Sequence, residues 1–252
     1  MLDRTDLVDR LFFPRADETK KPADAEDHFI EVPGASLHLR VHEGKPGAGV
    51  VLLFHGNGEI VSDWNAAAGS FRSRGYRLAI VDYRGYGLST GTPTIRNMLS
   101  DASLVLDYVA EHFEGPLIVM GRSLGSASVW EAMAKAREAG RVRGAVIDSG
   151  FVDVEAFGKR RGVEPQDLEA EDQSALDPLP KMAAVTCPVL LLHGELDAAI
   201  RIQEAAAAYA ALETEKRFIR LAGKGHNDLS YHPDYWSELG VFITQFLDHR
   251  GL

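Results

Sequence analysis

Cysteine is nearly absent: Cys187 is the only one in 252 residues. No intrachain disulfide can form, which points to a reducing compartment. Flanked by Thr186 and Pro188, with no base nearby in sequence, Cys187 reads as a small buried hydrophobe. A surplus of positive charge is also missing. Lys and Arg total 27 against 37 Asp and Glu, a formal net charge of −10. Without a basic patch to neutralise phosphates, neither nucleic acid nor an anionic membrane surface is an expected partner. No apolar run approaches the ~20 residues that span a bilayer. Met1-Leu-Asp-Arg-Thr-Asp-Leu7 lacks a basic stretch followed by an apolar one, so no signal peptide is read and a cytoplasmic location is expected. His-Glu-x-x-His and paired-cysteine spacings are absent, and no Gly-x-Gly-x-x-Gly or phosphate loop follows the first βα strand. Neither a metal nor a nucleotide cofactor is expected.

What is present is an ordinary globular composition, 45% apolar and 25% charged, on a chain long enough for one α/β domain spanning 1–252. Residues 1–26 read as an irregular or short helical lead-in that packs Leu11, Phe12 and Phe13 onto the body. Phe29 to Val32 and Leu37 to His42, around Pro33-Gly-Ala35, predict an antiparallel hairpin. Strands are then expected at 50–54, 76–81, 117–120, 144–147, 188–192 and 217–221. Helices are expected at 60–74, 95–113, 126–139, 201–212 and 235–249. A hairpin followed by repeated β-α units predicts an α/β fold: a mostly parallel eight-stranded sheet with helices on both faces.

Ligands of such sheets bind at the carboxyl ends of the strands, and reactive residues collect there. The most informative stretch is Leu117-Ile-Val-Met-Gly-Arg-Ser-Leu-Gly125. A strand turning abruptly into a helix at Gly-x-Ser-x-Gly holds its serine in a strained conformation and exposes the hydroxyl. The flanking glycines remove Cβ atoms that would clash in the turn. The bland alternative is an ordinary strand-to-helix turn. Three other strand ends carry His55-Gly-Asn-Gly-Glu59, Asp82-Tyr-Arg-Gly-Tyr-Gly-Leu-Ser89 and His193-Gly-Glu-Leu-Asp197. The last carries Ala222-Gly-Lys-Gly-His-Asn-Asp228.

Together these motifs resemble the α/β-hydrolase family. Within it they are most similar to the small serine hydrolases grouped with the α/β-hydrolase-domain and Bem46-like proteins, a branch that includes depalmitoylating thioesterases and lysophospholipid lipases. The likeness runs from about Phe29 to the C-terminus. The order Ser123, Asp197, His226 is the one this family uses. The resemblance implies Ser123 as nucleophile, His226 as base and Asp197 as the acid that orients it. Asp148 and Asp228 remain rivals for the acid. It also implies an oxyanion hole from the backbone N–H groups of Leu124 and Asn57. His55 and His193 read as structural, and Asp82 and Arg84 as braces for the loops.

Residues 151–186 interrupt the alternation and are rich in acid between Glu164 and Asp177. They read either as a small lid, with Phe151 and Phe157 lining a pocket, or as a crossover helix with a long loop. Glu59 is expected to face the cleft and repel anions. The implied function is cleavage of a small-molecule carboxylic ester or thioester through an acyl-enzyme. A peptidase of the same fold and a non-catalytic binding protein are the alternatives. Oligomeric state has no signature in the sequence.

Overall fold

A computed structural model describes residues 4–45 and 47–247. Its centre is an eight-stranded sheet in the order β1-β2-β4-β3-β5-β6-β7-β8. β1 (Ala25–Val32) and β2 (Ala35–His42) form the expected hairpin, closed by Pro33 and by Gly34 at φ +80°. β2 also pairs antiparallel with β4 (Tyr76–Val81). From there β3 (Gly49–Phe54), β5 (Leu117–Arg122), β6 (Val142–Asp148), β7 (Val189–Gly194) and β8 (Lys216–Leu221) run parallel.

Burial on both faces explains why β3 reads Gly-Val-Val-Leu-Leu-Phe without alternation. Val50, Leu52 and Phe54 enter one apolar layer, while Val51 and Leu53 enter the opposite one. The first layer is covered by α3 (Ile95–His112), α4 (Gly125–Lys135) and α8 (Ile202–Ala211), with Trp130 at its centre. The second is covered by α2 (Ala68–Ser73) and α9 (Pro233–Thr244), through Phe71, Leu239, Phe242 and Ile243. α3 follows from its sequence: Thr94 caps it by accepting from the Asn97 amide at 3.1 Å. Ile95, Met98, Leu99, Ala102, Val105, Leu106 and Val109 recur on one buried face. Among the described residues no helix is long and apolar enough to cross a membrane.

Because β4 lies on one side of β3 and β5 on the other, the chain reverses its winding between β3 and β5. A crevice opens at such a switch point. The turns leaving these two strands carry Asn57 and Ser123.

Three expected helices differ in detail. The 60–74 segment is a 3₁₀ turn, Val61–Ala67, before α2 begins. Its start is pinned: the Val61 amide donates to Asp82 Oδ1 at 2.9 Å, and the Trp64 indole donates to Glu59 at 3.2 Å. α4 ends at Lys135 rather than Ala139, because Ala136 turns extended and the Glu138 amide is drawn to Asp107 at 2.8 Å. α9 starts earlier, on Pro233, capped by His232 Nδ1 accepting from the Asp234 amide. It also ends earlier than expected, at Thr244 with Gln245 as its C-cap, and residues 248–249 of the expected span lie outside the described residues.

Residues 151–186 hold α5 (Val154–Lys159), a 3₁₀ turn at Pro165–Asp167, α6 (Ala170–Leu176) and α7 (Leu179–Met182). Phe157, Val163, Leu168, Leu176 and Met182 pin the segment to the core. The lead-in forms α1 (Arg4–Leu11); Leu11 and Phe12 are buried as expected, but Phe13 is 50% exposed.

Candidate active site

Ser123 sits at φ +50°, in the left-handed region that non-glycine residues avoid. The strain is held in place from several sides. The Ser123 amide donates to Asp148 O at 2.8 Å, and Ser126 Oγ donates to Ser123 O at 2.7 Å. A Cβ on Gly125 would sit 2.0 Å from Phe54 O, and one on Gly121 would sit 2.5 Å from Gly125 O. Only glycine permits β3, β5 and α4 to meet this closely. α4 starts immediately behind the serine, so its free N–H groups and positive dipole end face the hydroxyl.

His226, in the turn after β8, brings Nε2 to 2.9 Å from Ser123 Oγ. Its Nδ1 lies 2.7 Å from Asp197 Oδ2. An ionised carboxylate only accepts, so the proton belongs on Nδ1 and Nε2 is left to accept from the serine hydroxyl. Asp197 is buried, which opposes its ionisation. The His226 hydrogen bond and the Ile200 amide outweigh that and hold its carboxyl below the usual range. Its other oxygen takes the Ala199 and Ile200 amides at 2.9 and 2.8 Å, and His193 Nε2 donates to Ile200 O at 2.8 Å to fix the same loop. The Ala198-Ala-Ile segment is therefore shaped by its aspartate.

The two rival carboxylates are engaged elsewhere. Asp148, wholly buried and pushed upward in pKa by that burial, accepts from Tyr235 Oη at 2.9 Å. Asp228 accepts the Gly225 amide at 2.6 Å and closes the histidine's own turn.

Among the described residues neither the Asn57 nor the Leu124 amide N–H meets an acceptor within the chain. The Asn57 side chain, by contrast, is engaged at both ends. Its Nδ2 donates to Leu11 O at 2.8 Å, and its Oδ1 accepts from the Phe13 amide at 2.9 Å and Tyr86 Oη at 2.7 Å. Sequence reasoning gave Tyr86 and the lead-in no part here. Pairing between residues 44 and 29 positions apart leaves no local signal. Asp82 does brace the loop as expected. It takes His38 Nδ1 at 2.9 Å and lies 3.4 Å from His55 Nε2, while Tyr83 Oη donates to His55 O at 2.7 Å. Arg84 clasps Asp101 through two bonds of 2.7 and 2.8 Å.

Glu59 lines the cleft as expected, but it is not a free anion there. Its carboxylate pairs with the Arg122 guanidinium and also accepts the Gly56 amide at 2.9 Å. Its negative charge is spent on Arg122, a residue that sequence reading passed over as the variable position of Gly-x-Ser-x-Gly. A cavity of about 540 Å³ opens beside His226, walled by Trp64, Arg122, Tyr231, Tyr235 and Trp236. Phe151 and Phe157 do not line it: both are almost wholly buried, stacked with ring centroids 4.3 Å apart.

Comparison with known proteins addresses the family and the fold. Residues 45–164 match the family model described as serine aminopeptidase, S33. The uncharacterized protein YfhR of Salmonella typhimurium is 30% identical over 227 residues, covering 82% of this chain and 76% of that protein. Human α/β hydrolase domain-containing protein 17B is 25% identical, covering 80% and 69%. Among solved structures, the Pyrococcus furiosus esterase Pf2001 superposes with a TM-score of 0.74 at 18% identity, covering 93% of this chain and 96% of that one.

Proposed function

The chain belongs to the α/β-hydrolase family, and we propose that within it this protein is a serine hydrolase that cleaves a carboxylic ester or thioester through an acyl-enzyme. One observation carries the reading: the unbroken run from Ser123 Oγ through His226 to Asp197, at 2.9 and 2.7 Å.

The chemistry follows from the protonation pattern. As Ser123 Oγ attacks the carbonyl carbon, its proton passes to His226 Nε2, and the Asp197 carboxylate stabilises the imidazolium that forms. The carbonyl oxygen becomes an oxyanion and takes the open N–H groups of Asn57 and Leu124. Such donors are each worth about 10²–10³ in turnover. The tetrahedral intermediate collapses as Nε2 returns the proton to the departing alcohol or thiol. Water then attacks the acyl carbon as it gives a proton to Nε2; the C–Oγ bond breaks, and Nε2 returns that proton to Ser123 Oγ, releasing the acid.

The aminopeptidase description favours a second reading, an amide substrate with a free amine. That chemistry calls for an unengaged carboxylate near the serine. Glu59, the acid in the adjoining loop, is already paired with Arg122, which favours the ester.

The test is labelling by a fluorophosphonate probe, wild type beside Ser123→Ala, followed by p-nitrophenyl esters from C2 to C16 and amino-acid p-nitroanilides. Labelling lost in the variant, with ester turnover, supports the proposal. Anilide turnover alone moves it to peptidase. A folded wild type that takes no label is a binding protein on this fold.

A further inference from the structure

One cation near the site has no partner. Arg161, just beyond α5, is half-buried, and its Nε is shielded from solvent without a hydrogen-bond acceptor. Among the described residues no carboxylate lies within ion-pair distance of it. Its neighbours do not share this condition. Arg160 pairs with Glu204 at 3.1 Å, Arg10 donates to Gly162 O at 3.1 Å, and Arg15 pairs with Asp63. An unpaired charge drawn out of water is costly, and a chain of net charge −10 has carboxylates to spare. Burial, followed by the adjacent Arg160, lowers the Arg161 pKa.

Its position ties it to the nucleophile by two routes. The guanidinium carbon lies 4.2 Å from the Phe157 ring centroid. Phe157 stacks on Phe151, whose amide approaches Ser126 Oγ at 3.4 Å, and Ser126 holds Ser123 O. On the other side the same guanidinium faces the Phe13 ring at 6.0 Å, and the Phe13 amide donates to Asn57 Oδ1. Neither aromatic contact supplies a hydrogen-bond acceptor to its N–H fork. His226 must hand its proton to the leaving group, so that group belongs beside His226 and its 540 Å³ cavity. None of Phe13, Phe157 and Arg161 lines that cavity. Arg161 thus lies outside the leaving-group cavity.

We propose that Arg161 is a specificity-determining residue that receives an anionic group, a carboxylate or a phosphate, at the far end of the substrate's acyl part. This rests on the serine hydrolase reading. A guanidinium fork matches either anion in bidentate fashion, and the substrate supplies the counter-charge that the protein withholds.

The experiment compares mono-p-nitrophenyl succinate, glutarate and adipate with neutral p-nitrophenyl esters of the same carbon count. Wild type is expected to favour one of the anionic esters in kcat/KM by about ten- to a hundredfold, a preference that shrinks with added salt. Arg161→Gln should bring the ratio near one, Arg161→Lys should keep part of it, and Arg160→Gln should keep it whole. Free glutarate and inorganic phosphate, as competitors against a neutral ester, distinguish carboxylate from phosphate recognition. A wild type without the preference, or a preference that survives Arg161→Gln, overturns the proposal. The wild-type comparison decides even if the variant does not fold. Fluorophosphonate labelling runs in parallel. Label without anionic preference sinks Arg161 alone, and no label sinks the hydrolase reading with it.

Discussion

Arg122 and Glu59, 63 residues apart, form an ion pair that fastens the loop carrying Asn57 to the turn carrying Ser123. The same guanidinium donates to His226 O at 3.1 Å and to Asn227 Oδ1 at 2.8 Å. Three loops from three strand ends thus share one side chain. Burial opposes the charge on Arg122, but Glu59 and Asp148 outweigh it and raise its pKa, so it stays a cation at any working pH.

Replacing Arg122 with Met should therefore misplace several groups at once. Displacement of a catalytic group by about 1 Å costs on the order of 10² in rate, and kcat is expected to fall by about that much. Glu59, left half-buried without its partner, should cost a further ~1 kcal/mol of stability. Glu59→Gln in the same background should recover stability without recovering kcat. Denaturant unfolding and ester kinetics on the two single variants and the double variant check this, and additive effects would argue against a shared staple.

The identity of the acid is open to a direct comparison. Asp197 lies 2.7 Å from His226 Nδ1, whereas Asp148 binds Tyr235. Asp197→Asn turns an acceptor into a donor at Nδ1, favours the wrong imidazole tautomer, and should reduce kcat by ~10³–10⁴. Asp148→Asn preserves shape and a hydrogen bond to Tyr235, and no comparable loss is expected. Equal losses in steady-state ester hydrolysis would reassign the acid.

Most of the frame was legible because its signals are local. A fully apolar Val50-Val-Leu-Leu-Phe54 and the glycines at 121 and 125 each act within a few residues. What escaped sequence reading is long-range pairing of polar groups. Glu59 faces the cleft as expected, but its pairing with Arg122 escaped because nothing in His-Gly-Asn-Gly-Glu announces Arg122. The segment 60–74 was expected to be one regular helix because its pull toward Asp82 depends on a residue 21 positions away. Phe151 and Phe157 were expected in a pocket, but their stacking on each other buries them.

The closeness of α4 to β3 gives a test with an internal control. A Cβ on Gly125 meets Phe54 O at 2.0 Å, so Gly125→Ala must push the strand end away from the helix. Overpacking of this kind costs typically ~1–3 kcal/mol. Phe54 leads directly into the Asn57 loop, so labelling of Ser123 by fluorophosphonate should slow as well. Gly140→Ala, where a Cβ meets nothing within 4 Å, should stay within ~0.5 kcal/mol of wild type. Thermal unfolding of the two variants side by side provides the check.

A last prediction concerns pH. His38 is buried between Asp82, 2.9 Å from Nδ1, and Asp27, 3.1 Å from Nε2. Burial alone would lower its pKa, but the bonds to Asp82 and Asp27 outweigh that and raise it. A raised histidine contributes stability that is complete below its ordinary value of about 6.5 and is lost as pH climbs through the folded value. Despite their burial, Asp27 is held low chiefly by Arg40, with His38 adding to it, and Asp82 by His38 and His55. Their contribution is complete above about pH 4 and is lost as pH falls through their folded values. Between roughly pH 4 and 6.5 both contributions are complete. His38→Gln leaves Asp82 with one donor fewer and should cost ~1–3 kcal/mol at pH 6. The gap between variant and wild type should narrow steadily toward pH 9, because wild-type His38 gives up its charge there. Buried His42, whose pKa is lowered, titrates alike in both proteins and cancels from the difference. Urea unfolding of the pair at pH 5, 6, 7, 8 and 9 measures the gap. A gap that widens with pH would mean that His38 is neutral in the folded protein.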